Sequence, residues 1–461
     1  MTTLILAAST LRAVAVLAAA ADSGCFENSG RRVLLLTGTA PVPEAVPPVS
    51  GMPGFDGLRA RFDDVVSWNE AIAPLHPADW VPRADDVPLW ERHLRRAWGL
   101  ADAPVALVLE SLTTAPAQAV ADIFTGAPID AYTTGLDAYG PTGGKLSALT
   151  GTRVRRLLHT DALPGLRPHL LAEFGARPSA VPTAALARVY SELALPVAEL
   201  TAAQSSAVLL GEGLAEAGLL PAAEERELHL RMVRGAVASG STRLVFTPDP
   251  GAAVPWVHEL SDEAARLGVE LTVGHIGPLG TPVLPEVLLE RLRPALVVGC
   301  ASPALLTAAC LYRIPVAVSG TGTLLERLTP YENSARTAVT ITDALLPDLT
   351  DPAAVASGPP PVGPEAAGEL ADLLAAVAFA MRPRVRPDLR PAAERYLSTR
   401  LDSRYLSTRL DSRTRRYFTR RRLASLALPG AVPARLAAVR RNATVRRLAR
   451  RARALRAGPG G

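Results

Sequence analysis

The residues best suited to holding a phosphate lie between Pro294 and Thr323. The apolar run Ala295–Val298 ends in Gly299, and a short turn, Cys300-Ala301-Ser302, leads into Pro303. Proline suits the first position of a helix, where its missing N–H costs no bond, and Ser302 before it is a good N-cap. Helical spacing follows over Ala304–Tyr312, then a second buried-type strand, Ile314–Val318, closed by Ser319-Gly320. Free N–H groups at helix starts, on the carboxyl ends of parallel strands, bind phosphate. Gly299 and Ser302 are therefore candidate nucleotide-binding residues, and Ser319, Gly320 and Thr321 repeat the arrangement one strand later. An ordinary βαβ unit with nothing bound would carry the same pattern. Cys25, Cys300 and Cys310 have no CxxC spacing and no nearby histidine pair, so no disulfide framework and no metal site is expected. They read as buried apolar residues of a reducing compartment.

The elements that would position this stretch alternate strand and helix along most of the chain. A first lobe starts with strand Leu4–Ala8, helix Leu11–Asp22 and strand Arg32–Leu36, and continues with strands Phe62–Ser67, Leu107–Glu110 and Ile129–Thr133. Arg153–His159 closes that sheet. Pro178–Gln204, rich in Pro and Ala, reads as a mixed connection and a boundary. A second lobe begins at strand Ser206–Leu210 and runs through helix Ala222–Ala238, strand Leu244–Thr247, helix Val254–Leu267 and strand Val269–Val273 to the phosphate-type unit. Alternation of this kind implies parallel sheets with right-handed crossovers. Two such lobes around a cleft form a GT-B-like α/β fold, the architecture of many nucleotide-sugar glycosyltransferases. Expected domains are an acceptor-side lobe over 1–185, a nucleotide-sugar lobe over 205–350, and a Pro/Ala-rich linker with an Arg-rich tail over 351–461.

Charge divides the chain differently. Residues 1–381 carry 26 Lys+Arg against 40 Asp+Glu, a net −14, whereas residues 382–461 carry 23 Arg against 4 acids, a net +19. In the last segment Leu436, Val439, Val445, Leu448, Ala452 and Leu455 recur at helix-like spacing among nine arginines. A basic amphipathic helix suits an anionic membrane surface, while a solvated, unordered tail is the plainer reading. The nonapeptide YLSTRLDSR occurs at 396–404 and again at 405–413, which argues against a tightly packed core there. The N-terminal apolar stretch lacks a basic leader region and is broken by Arg12, so it reads as strand plus helix. No run of about 18 apolar residues is present to span a bilayer. A cytoplasmic protein, peripheral at the inner face of the membrane, is expected, with no specific nucleic-acid partner.

Several segments, taken together, resemble the bacterial alpha-2,8-polysialyltransferase family. They are LILAASTL at Leu4–Leu11, VVSWNEAI at Val65–Ile72, VPLWERHL at Val87–Leu94, VLES at Val108–Ser111, YGPT at Tyr139–Thr142, LVVGCASPALLTA at Leu296–Ala308 and LLERLTPYENSAR at Leu324–Arg336. The resemblance implies a sialyltransferase-like enzyme that moves a sugar from a CMP-activated donor to a cell-surface glycan without metal or other cofactor. It also implies three motifs. An acidic pair before glycine removes the acceptor's proton. A His-Pro after a second-lobe strand assists the departing CMP, and a serine pair at a helix start holds the phosphate.

This chain departs at all three positions. The acidic position reads Thr133-Thr134-Gly135, the His-Pro position reads Asp249-Pro250 and the serine pair reads Ala301-Ser302. Asp249 and Pro250 remain the candidate catalytic and nucleotide-binding residues there by alignment. A carboxylate about 4 Å from a phosphate charge is nevertheless repelled by about 4 kcal/mol at an effective dielectric near 20. Glu110, at the end of a strand in the same sheet, and Asp137, two residues past Gly135, are the candidate substitute bases. His258 falls in a helix, His275 in a loop after a strand, and His76-Pro77 in the wrong lobe. The expected function is transfer from a nucleotide-sugar donor to a glycan acceptor. The alternatives are a catalytically degenerate relative that still binds a nucleotide sugar or glycan, and a membrane-surface adaptor acting through the basic tail.

Overall fold

A computed structural model describes residues 1–431 except 28–29, 41, 43–45, 196–205, 250–253, 277–280, 359–363 and 402–409. The first lobe is a seven-stranded parallel sheet of β1 (Thr3–Ala8), β2 (Arg31–Leu36), β3 (Asp64–Ser67), β4 (Val105–Leu109), β5 (Ile129–Tyr132), β6 (Val154–Thr160) and β7 (Arg177–Val181). Its strand order is β3-β2-β1-β4-β5-β6-β7. The second lobe holds β8 (Ser206–Leu210), β9 (Arg243–Thr247), β10 (Glu270–Val273), a two-residue hairpin β11 (His275–Ile276) and β12 (Thr281–Pro282), then β13 (Leu296–Gly299) and β14 (Val316–Val318). Its five-stranded sheet, also parallel, runs β10-β9-β8-β13-β14.

Each sheet starts in its middle. β1 and β8 are buried at every residue, as apolar strands covered on both faces must be. The chain works outward to one edge and then returns to the strand's other side. Strand order therefore reverses between β1 and β4, and between β8 and β13, and crevices at such points receive ligands. The fold is GT-B-like, two parallel α/β lobes, as the alternation of elements implies.

The helix Leu11–Asp22 starts where the sequence places it. Thr10 accepts a bond from the Ala13 N–H at 3.1 Å, and nine residues of the helix are buried, five of them alanines that let neighbours approach closely. One of those neighbours is a helix at Thr183–Ala194, inside the stretch read as an irregular connection. Leu186, Val189, Tyr190 and Leu193 bury one stripe of it at helical spacing. Prolines 178 and 182 obscure that stripe, yet both precede the helix rather than interrupt it. This helix also packs on Pro285–Leu292 of the second lobe and so joins the two.

The C-terminal region differs most from its expected character. Helices Pro364–Met381, Arg390–Thr399, Ser412–Arg415 and Arg420–Leu426 fold back onto both lobes. Arg382 donates to the Gly143 carbonyl and Arg386 to that of His169, both in the first lobe. Arg416 binds the Asp343 carboxylate of the second lobe at 3.0 Å, Tyr417 donates to the same group at 2.7 Å, and Arg422 pairs with Glu332 at 2.7 Å. Much of the arginine between 382 and 431 thus serves internal contacts. The basic amphipathic pattern at 435–455 lies outside the described residues. No described helix is long and apolar enough to cross a membrane.

Candidate functional site

The first-lobe crevice contains Glu110, the residue just past β4. Its neighbour across the crevice is Ser9, just past β1, whose hydroxyl donates to Glu110 Oε2 at 2.6 Å. The Thr134 hydroxyl, from the loop after β5, reaches the same carboxylate. Burial pushes the Glu110 carboxyl above its usual range, while the Ser9 and Thr134 hydroxyls and the charge of Arg12 restrain it. Glu110 faces a cavity of about 690 Å³ lined by threonine and serine hydroxyls of the first lobe. Its far wall comes from the second lobe and the C-terminal helices, with Asn333, Ser334, Thr337 and Arg382. Asp137 lines the same cavity from a short 3-10 turn, Leu136–Tyr139. Crowding by protein lifts its carboxyl to about 6, its own N–H opposes this, and the Glu110 charge adds to it. Asp137 still meets the water of the cavity, which tempers that lift. The two substitute carboxylates therefore share one pocket. Asp249, Ser302 and Ser319–Thr321 do not line it.

The second-lobe crevice is filled differently. Ser302 caps the helix as its position implies, accepting from the Ala304 N–H at 3.3 Å, and Pro303 opens it. The N–H groups of the preceding turn, however, already have an anion. Glu212, two residues past β8, accepts from Cys300 N–H at 2.5 Å and from Ala301 N–H at 2.7 Å. Gly299 makes this approach feasible: a Cβ there would stand 3.0 Å from Glu212 Oε1. Enclosure pushes the Glu212 carboxyl up to about 7, against the pull of the N–H groups of Cys300, Ala301 and Ser302. The expected phosphate position is thus occupied by the chain's own carboxylate. One strand on, Thr321 donates its hydroxyl to Asp343 at 2.6 Å, and Gly320 adopts a positive φ of 81° with Leu228 packed against it. That loop is engaged with the C-terminal segment through Asp343 rather than open.

The sequence model of the alpha-2,8-polysialyltransferase family matches residues 4–321. The chain belongs to that family. No curated protein matches it. Among solved structures, a Listeria monocytogenes protein assigned as a UDP-N-acetylglucosamine 2-epimerase is similar at 13% identity and a TM-score of 0.42, over 83% of this chain and 97% of that one. UGT2 of Phytolacca americana, complexed with UDP-2fluoro-glucose and pterostilbene, is similar at 13% identity and a TM-score of 0.39, over 86% and 100%. A 2,6-sialyltransferase of Photobacterium sp. JT-ISH-224, in complex with CMP and lactose, is similar at 13% identity and a TM-score of 0.41, over 74% and 76%. Likenesses of this size say nothing about what the present chain binds.

The polysialyltransferase match ends at residue 321, so the far wall of the cavity, from Pro330 to Arg382, lies beyond it. Within the match, Thr134-Gly135 abuts the Ser302-Pro303 turn: a Cβ on Gly135 would stand 3.3 Å from Pro303 Cγ. Two of the three motif positions thus meet across the lobes. Asp249 is exposed just past β9, and Pro250 lies outside the described residues. His258 is an exposed helix residue, His76 is exposed in the first lobe, and His275 opens the β11–β12 hairpin. Sequence reasoning did not single out Ser9, Arg12, Glu212 or Asp343. For Ser9 and Glu212 a signal exists, since each follows the first strand of its lobe by one or two residues, where a switch-point crevice must open.

Proposed function

We propose that this member of a glycosyltransferase family transfers a sugar from a CMP-linked donor to a glycan acceptor, with Glu110 as the base. The observation that carries this reading is the Glu110 carboxylate at the first-lobe crevice, bonded by Ser9 and Thr134 and facing the 690 Å³ cavity. Thr134 occupies a position where the resemblance implies an acid. Its hydroxyl instead supports an acid supplied by the neighbouring strand.

In the reaction, an acceptor hydroxyl held among the cavity's serine and threonine groups gives its proton to Glu110. The freed oxygen pair attacks the anomeric carbon of the donor sugar. The bond from that carbon to the phosphate oxygen breaks, and CMP leaves with the electrons. A carboxyl raised above its usual range is a better proton acceptor near neutrality, which suits a base acting on a weakly acidic alcohol. Asp137 lies in the same cavity and can relay or share the proton. The test is transfer from labelled CMP-sialic acid to a sialylated oligosaccharide by the purified full-length protein, with Glu110→Gln alongside. Transfer that persists in Glu110→Gln removes Glu110 as the base.

A second reading rests on Glu212. With its carboxylate on the N–H groups of the Cys300–Ser302 turn, and Asp249 past β9, the second lobe offers a phosphate fewer open donors than the motif pattern implies. A relative that binds a glycan or nucleotide sugar without turning it over fits this, and calorimetric binding with no transfer distinguishes it. We also propose that the nine arginines between 435 and 456 favour an anionic membrane surface at the cytoplasmic face. Sedimentation with anionic vesicles at low salt, with and without residues 432–461, tests that.

A further inference from the structure

Arg12 is in an unfavourable place for a cation. It lies in the first turn of the helix Leu11–Asp22, where the positive end of the helix dipole disfavours a positive side chain, and no acid accompanies it in that turn. Its side chain is only 19% exposed. Guanidinium offers five N–H donors in a planar fork. Among the described residues Arg12 is bonded to one side chain alone: Nη2 lies 3.2 Å from both oxygens of Glu286, on the second lobe's helix Pro285–Leu292. Nε and Nη1 have no such bond. The charged and titratable groups that bear on it come from both lobes: Glu110 past β4, Asp249 past β9, Glu286, and the Tyr190 phenol from the helix that joins the lobes.

We propose that Arg12 receives the phosphate of the donor nucleotide in the cleft between the lobes. The inference rests on the donor assigned above. It follows from what the second lobe does with its own donors. The Cys300–Ser302 N–H groups hold Glu212, the Thr321 hydroxyl holds Asp343, and the loop after β9 presents the Asp249 carboxylate. Arg12 lies within electrostatic reach of the loop after β9, and its spare fork matches two oxygens of a phosphate. Glu286 then acts as the resident anion that holds this cation aimed across the cleft before a ligand arrives. With three carboxylates nearby, phosphate and Glu286 compete for one guanidinium.

Calorimetry of the full-length protein with CMP, cytidine and inorganic pyrophosphate tests this, using wild type, Arg12→Ala, Arg12→Lys and Glu286→Gln, with thermal melts as the control for folding. Wild type should prefer CMP over cytidine, and Arg12→Ala should reduce that preference by about tenfold or more, the scale of hydrogen bonds to a charged group. Arg12→Lys should fall between. Glu286→Gln, which frees the guanidinium, should raise the preference several-fold, whereas a merely structural ion pair predicts no change. An unchanged preference in folded Arg12→Ala, or no rise in Glu286→Gln if Arg12→Ala does not fold, overturns the proposal. A wild type that binds neither CMP nor cytidine removes the donor reading, and the inference with it. Arg12-dependent binding of pyrophosphate in that case would show an anion site of another purpose and still overturn the nucleotide proposal.

Discussion

The two crevices place a carboxylate at the same point of the same kind of sheet, by opposite routes. In the first lobe the acid follows the returning strand, β4, and leans toward the turn after the central strand. In the second it follows the central strand, β8, and leans toward the turn after the returning strand, β13. Glu110 is held chiefly by hydroxyls, which rotate and can release it to face a substrate, with one longer bond of 3.4 Å from the Ser9 N–H. Glu212 is held by backbone N–H groups, which cannot turn away. The crevices thus differ in what holds the acid, chiefly mobile hydroxyls in one and fixed main chain in the other.

The largest effect should come from Glu110→Gln. The exchange keeps shape and removes the base, so transfer should fall by about 10²–10⁴-fold while nucleotide affinity changes little. Equal loss of binding and rate would make Glu110 a ligand-positioning group instead. For the other crevice, Glu212→Ala strips the acceptor from the Cys300 and Ala301 N–H groups, and a loss of about 1–3 kcal/mol in unfolding free energy is expected. Denaturant melts that coincide with wild type would mean that water replaces Glu212 without cost.

Titration sharpens the contrast further. Transfer should rise with pH as the base deprotonates, with a midpoint above the ordinary glutamate range. Ser9→Ala removes a donor that favours the charged form and should move that midpoint upward. A downward move would assign the profile to another group, with Asp137, at about 6, the first to replace by Asn. Glu212 acts on stability rather than rate. Its carboxyl sits near 7 in the folded chain and near 4.3 when unfolded, so the folded state holds an extra proton between those values. Its contribution is complete below about 4.3 and is lost as pH rises through about 7. Wild type should therefore lose melting temperature relative to Glu212→Gln as pH climbs from 5 to 8. A constant offset would show that Glu212 does not titrate in that window.

Both sheets were legible in the sequence because a buried parallel strand is an apolar run, and those at Leu4–Ala8, Ser206–Leu210 and Leu296–Gly299 are unambiguous. The helix start at Ser302-Pro303 was legible for a local reason, since an N-cap is chemistry between residues two apart. Glu110 was legible as a strand-end acid. What escaped was contact between distant residues. That Ser9 meets Glu110 across 101 positions, or that Glu212 takes the N–H groups of residues 88 and 89 positions away, depends on strand order, which periodicity does not encode. The arginines of 382–431 were misjudged for the same reason. Composition marks them as basic, but their partners at Gly143, His169, Asp343 and Glu332 belong to other elements.

The repeated nonapeptide acquires a meaning from one bridge in the C-terminal region. Leu401 and Leu410 pair as isolated antiparallel neighbours, and they are the same residue of the two copies. Nine positions apart in sequence, these two leucines stand side by side. Leu410 is packed at 4% exposure, close to where a single-copy chain would carry its one leucine. A duplication whose equivalent residues coincide changes length without changing register for anything downstream. Lineages carrying one copy or three would be expected to share the same flanking helices. The junction between 401 and 410 is also where a foreign peptide, such as an epitope or a fluorophore-binding tag, should be accommodated with the two lobes undisturbed.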